Sequence, residues 1–175
     1  MFEIRNIKIS LKTEQISLNS VLNQLEHECI PFVTKNNYVI IRYQFVYIFF
    51  KSKNCLITHI NITKIPNIQS IYQSIDILKE QIFNNLNLTV VNQQIDNITA
   101  TFDFRKEIDQ MKILNRAKNI YKVRYNREKF PGLFIKVTLG TFIIFHTGKV
   151  NLVGCQDPSN LDILFECLQN IVALE

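Results

Sequence analysis

The chain has 175 residues, 47% of them hydrophobic and 20% charged, and carries a formal net charge of +5. That length fits one domain or two halves sharing a sheet, and the composition excludes an intrinsically disordered chain. No apolar run is long enough to span a bilayer; the longest candidate, residues 45–50, is strand-sized. Glu3, Arg5 and Lys8 interrupt the first residues with charge, so no secretory signal is expected. The cysteines at 29, 55, 155 and 167 make no Cys-x-x-Cys pair, and the histidines at 27, 59 and 146 complete no zinc spacing. The thiols are read as reduced and structural, with no metal and no cofactor.

In chain order, a strand is expected over 2–11 and a helix over about 17–28, with Leu18, Val21, Leu22 and Leu25 on one face. Strands follow over 38–43, 45–51 and 55–61, rich in aromatic and branched residues. Pro66 and Asn67 open a helix to about residue 84. The polar stretch 85–94 is expected to link two halves, 1–84 and 95–175. The second half repeats the order: a strand over 95–105, a helix over 106–118 and a short strand over 120–125. Apolar runs at 133–137, 141–145 and 150–153, parted by Gly140 and by His146-Thr147-Gly148-Lys149, read as a meander. Asp157 to Asn160 cap a final helix over 161–174.

The halves correspond in detail. Ile4-Arg-Asn-Ile7 matches Ile95-Asp-Asn-Ile98, Val39-Ile-Ile-Arg42 matches Leu133-Phe-Ile-Lys136, and Phe50 opens a segment matching Phe145-His-Thr-Gly-Lys149. The offsets are 91, 94 and 95 residues, in one order, which marks an internal duplication. Strand–helix–strands–helix, twice, predicts one antiparallel sheet with its helices on one face. Apolar residues on the other face mark an interaction surface. Nine basic against four acidic residues lie between 103 and 129, whereas 150–175 holds four acidic residues and no Lys or Arg. Such asymmetry suits a polyanion on one surface and something else on another.

Phe130-Pro-Gly-Leu133, then Ile144-Phe-x-x-Gly-Lys-Val150, then Gly154 and a small residue before a helix, resemble the second repeat of the TATA-binding protein family. The resemblance implies an α+β fold: two pseudo-symmetric repeats form one curved antiparallel sheet, a saddle, with helices on the convex face. It also implies a transcription initiation factor that binds and bends A·T-rich double-stranded DNA in the minor groove. By this resemblance Phe130, Phe145 and Phe50 wedge between base steps, a device for which the general account of minor-groove binding already uses this family as its example. Asn36 occupies the place matching Phe130 in the first repeat, where Tyr38 or Phe32 could stand in. Asn6 and Asn97 match asparagines that donate to minor-groove acceptors; A·T pairs offer acceptors there without the guanine amino donor.

The remaining groove positions implied are Lys8, Thr99, Leu56, Thr58, Ile143, Asn151 and Val153. Lys8 and Thr99 depart from the family's valine. Arg42, Lys51, Lys53, Arg105, Lys136 and Lys149 are candidate phosphate contacts. Glu128 matches an acidic residue that holds a B-type general initiation factor, and the RNA polymerase machinery is the further partner implied. The implied location is the nucleus, or a cytoplasmic viral factory. No enzyme motif is present: there is no glycine-rich phosphate loop, Gly-x-Ser-x-Gly or His-Glu-x-x-His. Lys8, Asn36 and Asn151 on the presumed groove surface feed an alternative, an adaptor that engages a protein on the same face.

Overall fold

A computed structural model describes residues 1–84 and 86–173. Among them the strands are β1 (Glu3–Ser17), β2 (Phe32–Thr34), β3 (Tyr38–Arg42), β4 (Val46–Lys51), β5 (Leu56–Ile65), β6 (Val90–Asp103), β7 (Lys122–Asn126), β8 (Phe130–Val137), β9 (Gly140–Ile144) and β10 (Lys149–Cys155). The helices are α1 (Leu18–His27), α2 (Gln69–Ile77), α3 (Gln110–Ala117) and α4 (Leu161–Val172). The strands form one ten-stranded antiparallel sheet in the order β2-β3-β4-β5-β1-β6-β10-β9-β8-β7, so the expected α+β class holds. By its contacts the chain divides into two compact units, Asn6–Asp96 and a second made of Met1–Arg5 with Asn97–Glu175.

In the Asn6–Asp96 unit, strict alternation drives β1: Ile7, Ile9 and Leu11 are fully buried and the residues between them are not. The alternation runs on through buried Thr13, so the strand extends past the expected end at Leu11. Val21 and Leu25 of α1 and Ile71 and Ile75 of α2 meet the same apolar face. Tyr47 anchors α2 by donating its hydroxyl to the Ser74 carbonyl at 3.0 Å, and Phe49 packs on Phe83 at 5.6 Å between ring centroids. Asn67 caps α2 by accepting from the Ser70 N–H. The helix stops at Ile77 and continues as a π turn, Leu78–Ile82, instead of running unbroken to residue 84. The strand Phe32–Thr34 escaped the sequence reading because three residues carry no usable periodicity; pairing with Val39–Ile41 makes it a strand.

In the second unit, Leu133, Ile135, Phe142, Ile144, Val150 and Leu152 supply the sheet side of the core. Ile113 and Ala117 of α3, and Leu164, Leu168 and Ile171 of α4, supply the helix side. Phe2 stacks on Phe142 at 6.2 Å and meets Phe165 edge-on at 5.7 Å. The start of α3 lies at Gln110, not near Lys106, because Asp109 accepts from the N–H groups of Met111 and Lys112 and fixes the first turn there. The expected link 85–94 runs into β6 at Val90. Asn85 of that link, Leu174 of the last helix and Glu175 lie outside the described residues.

Candidate nucleic-acid interface

Each unit has a sheet face that its own helices leave uncovered. In the second unit, hydrogen-bonded neighbours across the sheet place Thr101, Asn151, Ile143, Phe134 and Arg124 in one row on that face. Val153 stands opposite Thr141, which stands opposite Lys136. The Arg124 guanidinium lies 4.9 Å from the Phe134 ring centroid, a cation–π contact.

Phe130 and Phe145 meet at 5.8 Å at the β8–β9 end of this face, and Phe130 also touches Phe134 at 5.3 Å. Phe130 remains 41% exposed, far more than a core aromatic would be. Two features set this geometry. A Cβ on Gly132 would come within 2.5 Å of the Phe130 ring and 2.6 Å of Ile143, so the ring's place exists only because residue 132 has no side chain. Buried Gln110 donates to the carbonyl of Pro131 at 2.8 Å and to that of Ile144 at 2.7 Å, and accepts from the Tyr125 hydroxyl at 2.8 Å. One satisfied amide therefore ties the residue after Phe130 to the residue before Phe145.

Asn97 accepts the Gly154 N–H through Oδ1 at 2.6 Å, while its Nδ2 reaches Thr99 Oγ1 at 3.2 Å. Gly154 has φ of +84°, a conformation open to glycine. Lys149 pairs with Asp103, and the Arg105 N–H donates to the Asp103 carboxylate at 2.8 Å. With Arg5, which donates to Thr101 Oγ1 at 2.9 Å, they line a cleft of about 450 Å³. Glu128 is exposed in the turn between β7 and β8.

In the Asn6–Asp96 unit, Asn6 repeats the device. Its Oδ1 accepts from the Lys64 N–H at 2.7 Å and the Thr63 hydroxyl at 3.3 Å, and Lys64 has φ of +62°. Phe50, 37% exposed, packs against Tyr38 at 6.2 Å. Tyr38 pairs with Phe50 one step before the pair Val39 and Phe49, as Gly132 and Phe145 lie one step before the pair Leu133 and Ile144, so Tyr38 fills from its own strand the space that Phe130 fills over Gly132. Asn36 sits exposed between β2 and β3. Arg42 ends β3 in an exposed position, and Lys53 is exposed between β4 and β5.

The offset of 95 residues does not persist into the last strand. Asn61 stands opposite both Ser10 and Ile48, as Asn151 stands opposite Thr101 and Ile143. Asn61 and Thr63 are thus the first-unit counterparts of Asn151 and Val153. Leu56 and Thr58 lie nearer the start of β5, where Leu56 faces Ser17. Eight residues separate the partners Phe50 and His59 in the β4–β5 hairpin, against three between Phe145 and Lys149 in the β9–β10 hairpin, and those five extra residues shift the correspondence from 95 to 90.

Lys8 is engaged by an ion pair with Asp96 at 3.1 Å. Burial pushes the Asp96 carboxyl up, but hydrogen bonds from Ser10, Gln94 and Lys8, with the Lys8 charge, outweigh it and hold the group below the usual carboxylate range. Among the described residues no group of three or more His, Cys, Asp or Glu side chains is placed to hold a metal ion. Tyr38, which the sequence offered as a stand-in for the missing wedge, does lie beside Phe50, whereas Asn61, Arg124 and Phe134 are face residues the sequence reading did not assign. Register alone reveals them.

The class so defined is a two-repeat α+β protein in which each repeat carries an aromatic pair and a backbone-anchored asparagine on its uncovered sheet face. Residues 92–173 match the family model described as Transcription factor TFIID, or TATA-binding protein. Similar curated proteins include the TATA-box-binding protein of Pyrobaculum neutrophilum, 33% identical over 70 residues, which are 39% of this chain and 34% of that protein. The TATA-box-binding protein of Methanothrix thermoacetophila is 33% identical over 69 residues, 38% of this chain and 36% of its own length. The chain therefore spans about a third of the length of the curated relatives it matches. In fold it is similar to Methanococcus jannaschii TBP, with a TM-score of 0.78 and 18% identity over 98% of both chains. Residues 92–173 thus resemble the TATA-binding protein family in sequence, and the whole chain shares its fold.

Proposed function

We propose that this protein is a transcription initiation factor that binds A·T-rich duplex DNA on its uncovered sheet face, bends it in the minor groove and recruits the transcription machinery. The observation that carries the reading is the orientation of Asn6 and Asn97. Each commits its oxygen to a backbone N–H of its own repeat, at Lys64 and Gly154. Asn6 therefore has its NH₂, and Asn97 the N–H that it does not give to Thr99, as the donor to offer a ligand, and the minor-groove edge of an A·T pair presents acceptors only. Thr99, Ile143, Asn151 and Val153, with Lys8 and, in place of Leu56 and Thr58, their register counterparts Asn61 and Thr63, are proposed to face the groove. Phe130, Phe145 and Phe50 are proposed as the wedges that fill opened base steps, with Tyr38 beside Phe50. Arg42, Lys51, Lys53, Arg105, Lys136 and Lys149 are the proposed phosphate contacts, and Glu128 the proposed contact to a B-type factor. The chemistry is binding and deformation, not catalysis.

A gel shift with A·T-rich and G·C-rich duplexes at several salt concentrations tests the reading. Binding should prefer A·T, and its logarithm should fall linearly with the logarithm of salt. The second reading, a protein-binding adaptor, is favoured by the Lys8–Asp96 pair, since a carboxylate on the face repels phosphate. No binding to any duplex at low salt selects the adaptor.

A further inference from the structure

The rows that cross the Asn6–Asp96 unit place a histidine where the second unit has a permanent cation. His59 pairs with Phe50 on one side and with Lys12 on the other. Lys149 holds the same relation in the second unit, beside Phe145 and opposite Asp103. The five extra residues of the β4–β5 hairpin hide this from a sequence comparison, which sets Asn54 against Lys149. His59 and Lys12 are exposed, and a shallow cleft of about 360 Å³ is lined by Phe50, Lys51, Ser52, Thr58, His59 and Asn61.

We propose that Lys12, His59 and Lys51 form a phosphate-binding site beside the Phe50 wedge, to which His59 adds a positive charge only when protonated. The inference rests on the DNA-binding reading and deepens it. Thr58 Oγ1 lies 3.0 Å from His59 Nδ1, so Nε2 is the ring nitrogen directed to a ligand. In the imidazolium both nitrogens donate: Nδ1–H to the Thr58 hydroxyl and Nε2–H to a phosphate oxygen. The cations beside the ring are Lys12, its register partner on β1, and Lys51, which lines the same cleft from β4. The nearest acid by register is Glu14, in the irregular stretch of β1 that lies opposite Thr58. Cations outnumber acids there, which suits an anion. A phosphate held next to Phe50 also anchors the backbone where an inserted ring would open a base step.

The test measures affinity for an A·T-rich duplex, and its salt slope, between pH 5.5 and 8.5. It compares the unmutated chain with His59→Gln and His59→Lys, after checking that all three melt alike. His27 and His146 remain in every variant and report any other imidazole contribution. The unmutated chain is expected to bind several-fold more tightly at the acid end, with a salt slope steeper by about 0.9, the value of one phosphate contact. His59→Gln should be weak and flat with pH; His59→Lys should be tight and flat. Binding that has the same pH profile and slope in the unmutated chain and in His59→Gln overturns the site and leaves the DNA reading standing. No DNA binding by any of the three overturns both.

Discussion

The carboxamide oxygen of Asn97 accepts the backbone N–H of Gly154 at 2.6 Å, and Asn6 makes the same bond to Lys64 at 2.7 Å. Each bond holds a left-handed residue, and with it an irregularity of the last strand of its repeat, against the first strand. The side chain is thereby fixed before any ligand arrives, so little ordering entropy remains to be lost on binding.

This bond separates structure from recognition. Asn97→Asp keeps the oxygen that holds Gly154 but removes the donor and adds negative charge. Its melting temperature should stay near that of the unmutated chain while affinity for A·T-rich DNA falls at least tenfold. Asn97→Ala should lose both, with a stability cost of about 1 kcal/mol for the missing hydrogen bond. Equal DNA affinity for Asn97→Asp and the unmutated protein would show that the amide donor is idle.

Gln110 serves the aromatic pair from beneath. Gln110→Leu leaves the Pro131 and Ile144 carbonyls and the Tyr125 hydroxyl without this partner. Chemical denaturation should register a loss of about 1–3 kcal/mol, the cost of leaving a buried polar group unsatisfied. DNA binding by the still-folded fraction should fall as well, because Phe130 and Phe145 are no longer set relative to each other. A variant with unchanged stability would remove Gln110 from this role.

The two aromatic pairs differ in chemistry. Phe130 and Phe145 are both hydrocarbon, whereas Tyr38 brings a hydroxyl next to Phe50. Phe145→Ala is expected to weaken binding more than Phe50→Ala, by on the order of 1 kcal/mol, since unstacking a step must be offset by apolar contact. Mismatched or pre-bent duplexes, in which unstacking is already cheap, should narrow the gap. Tyr38→Phe should narrow it too. Equal losses on intact DNA would show that the ends act alike.

Core packing makes a plainer claim. Phe142 is fully buried and stacks on Phe2. Phe142→Ala should destabilise the protein by about 3–5 kcal/mol in urea or guanidinium titration. Phe2→Ala should cost less, because Phe2 retains 8% exposure where Phe142 has none.

Stability should also respond to acid through Asp96. Its folded-state pKa lies below the ordinary value, so its contribution is present above the unfolded pKa and is lost as pH falls through the folded one. Thermal melting from pH 6 down to pH 2 should therefore show a decline that Asp96→Asn reduces. Identical pH profiles for both proteins would leave the Lys8–Asp96 pair without a stabilising role.

What the sequence by itself determined is the repeated order of elements, because alternation and helical spacing are local and survive divergence. It determined the family resemblance too, because the run from Phe130 to Cys155 keeps its spacing without insertion. Asn6, Asn97, Phe50, Phe130 and Phe145 could be named as candidates on that basis. The tertiary structure alone decided the pairings that cross the sheet. A short strand such as Phe32–Thr34 becomes one only by finding a partner, and Tyr38 reaches Phe50 only because their strands are hydrogen-bonded. Five extra residues within the β4–β5 hairpin move the last strand's register, so Asn61 and His59 take places that a linear comparison gives to Leu56 and Asn54. Register is a non-local property, set where buried side chains from distant segments must interlock, and no window of sequence contains it.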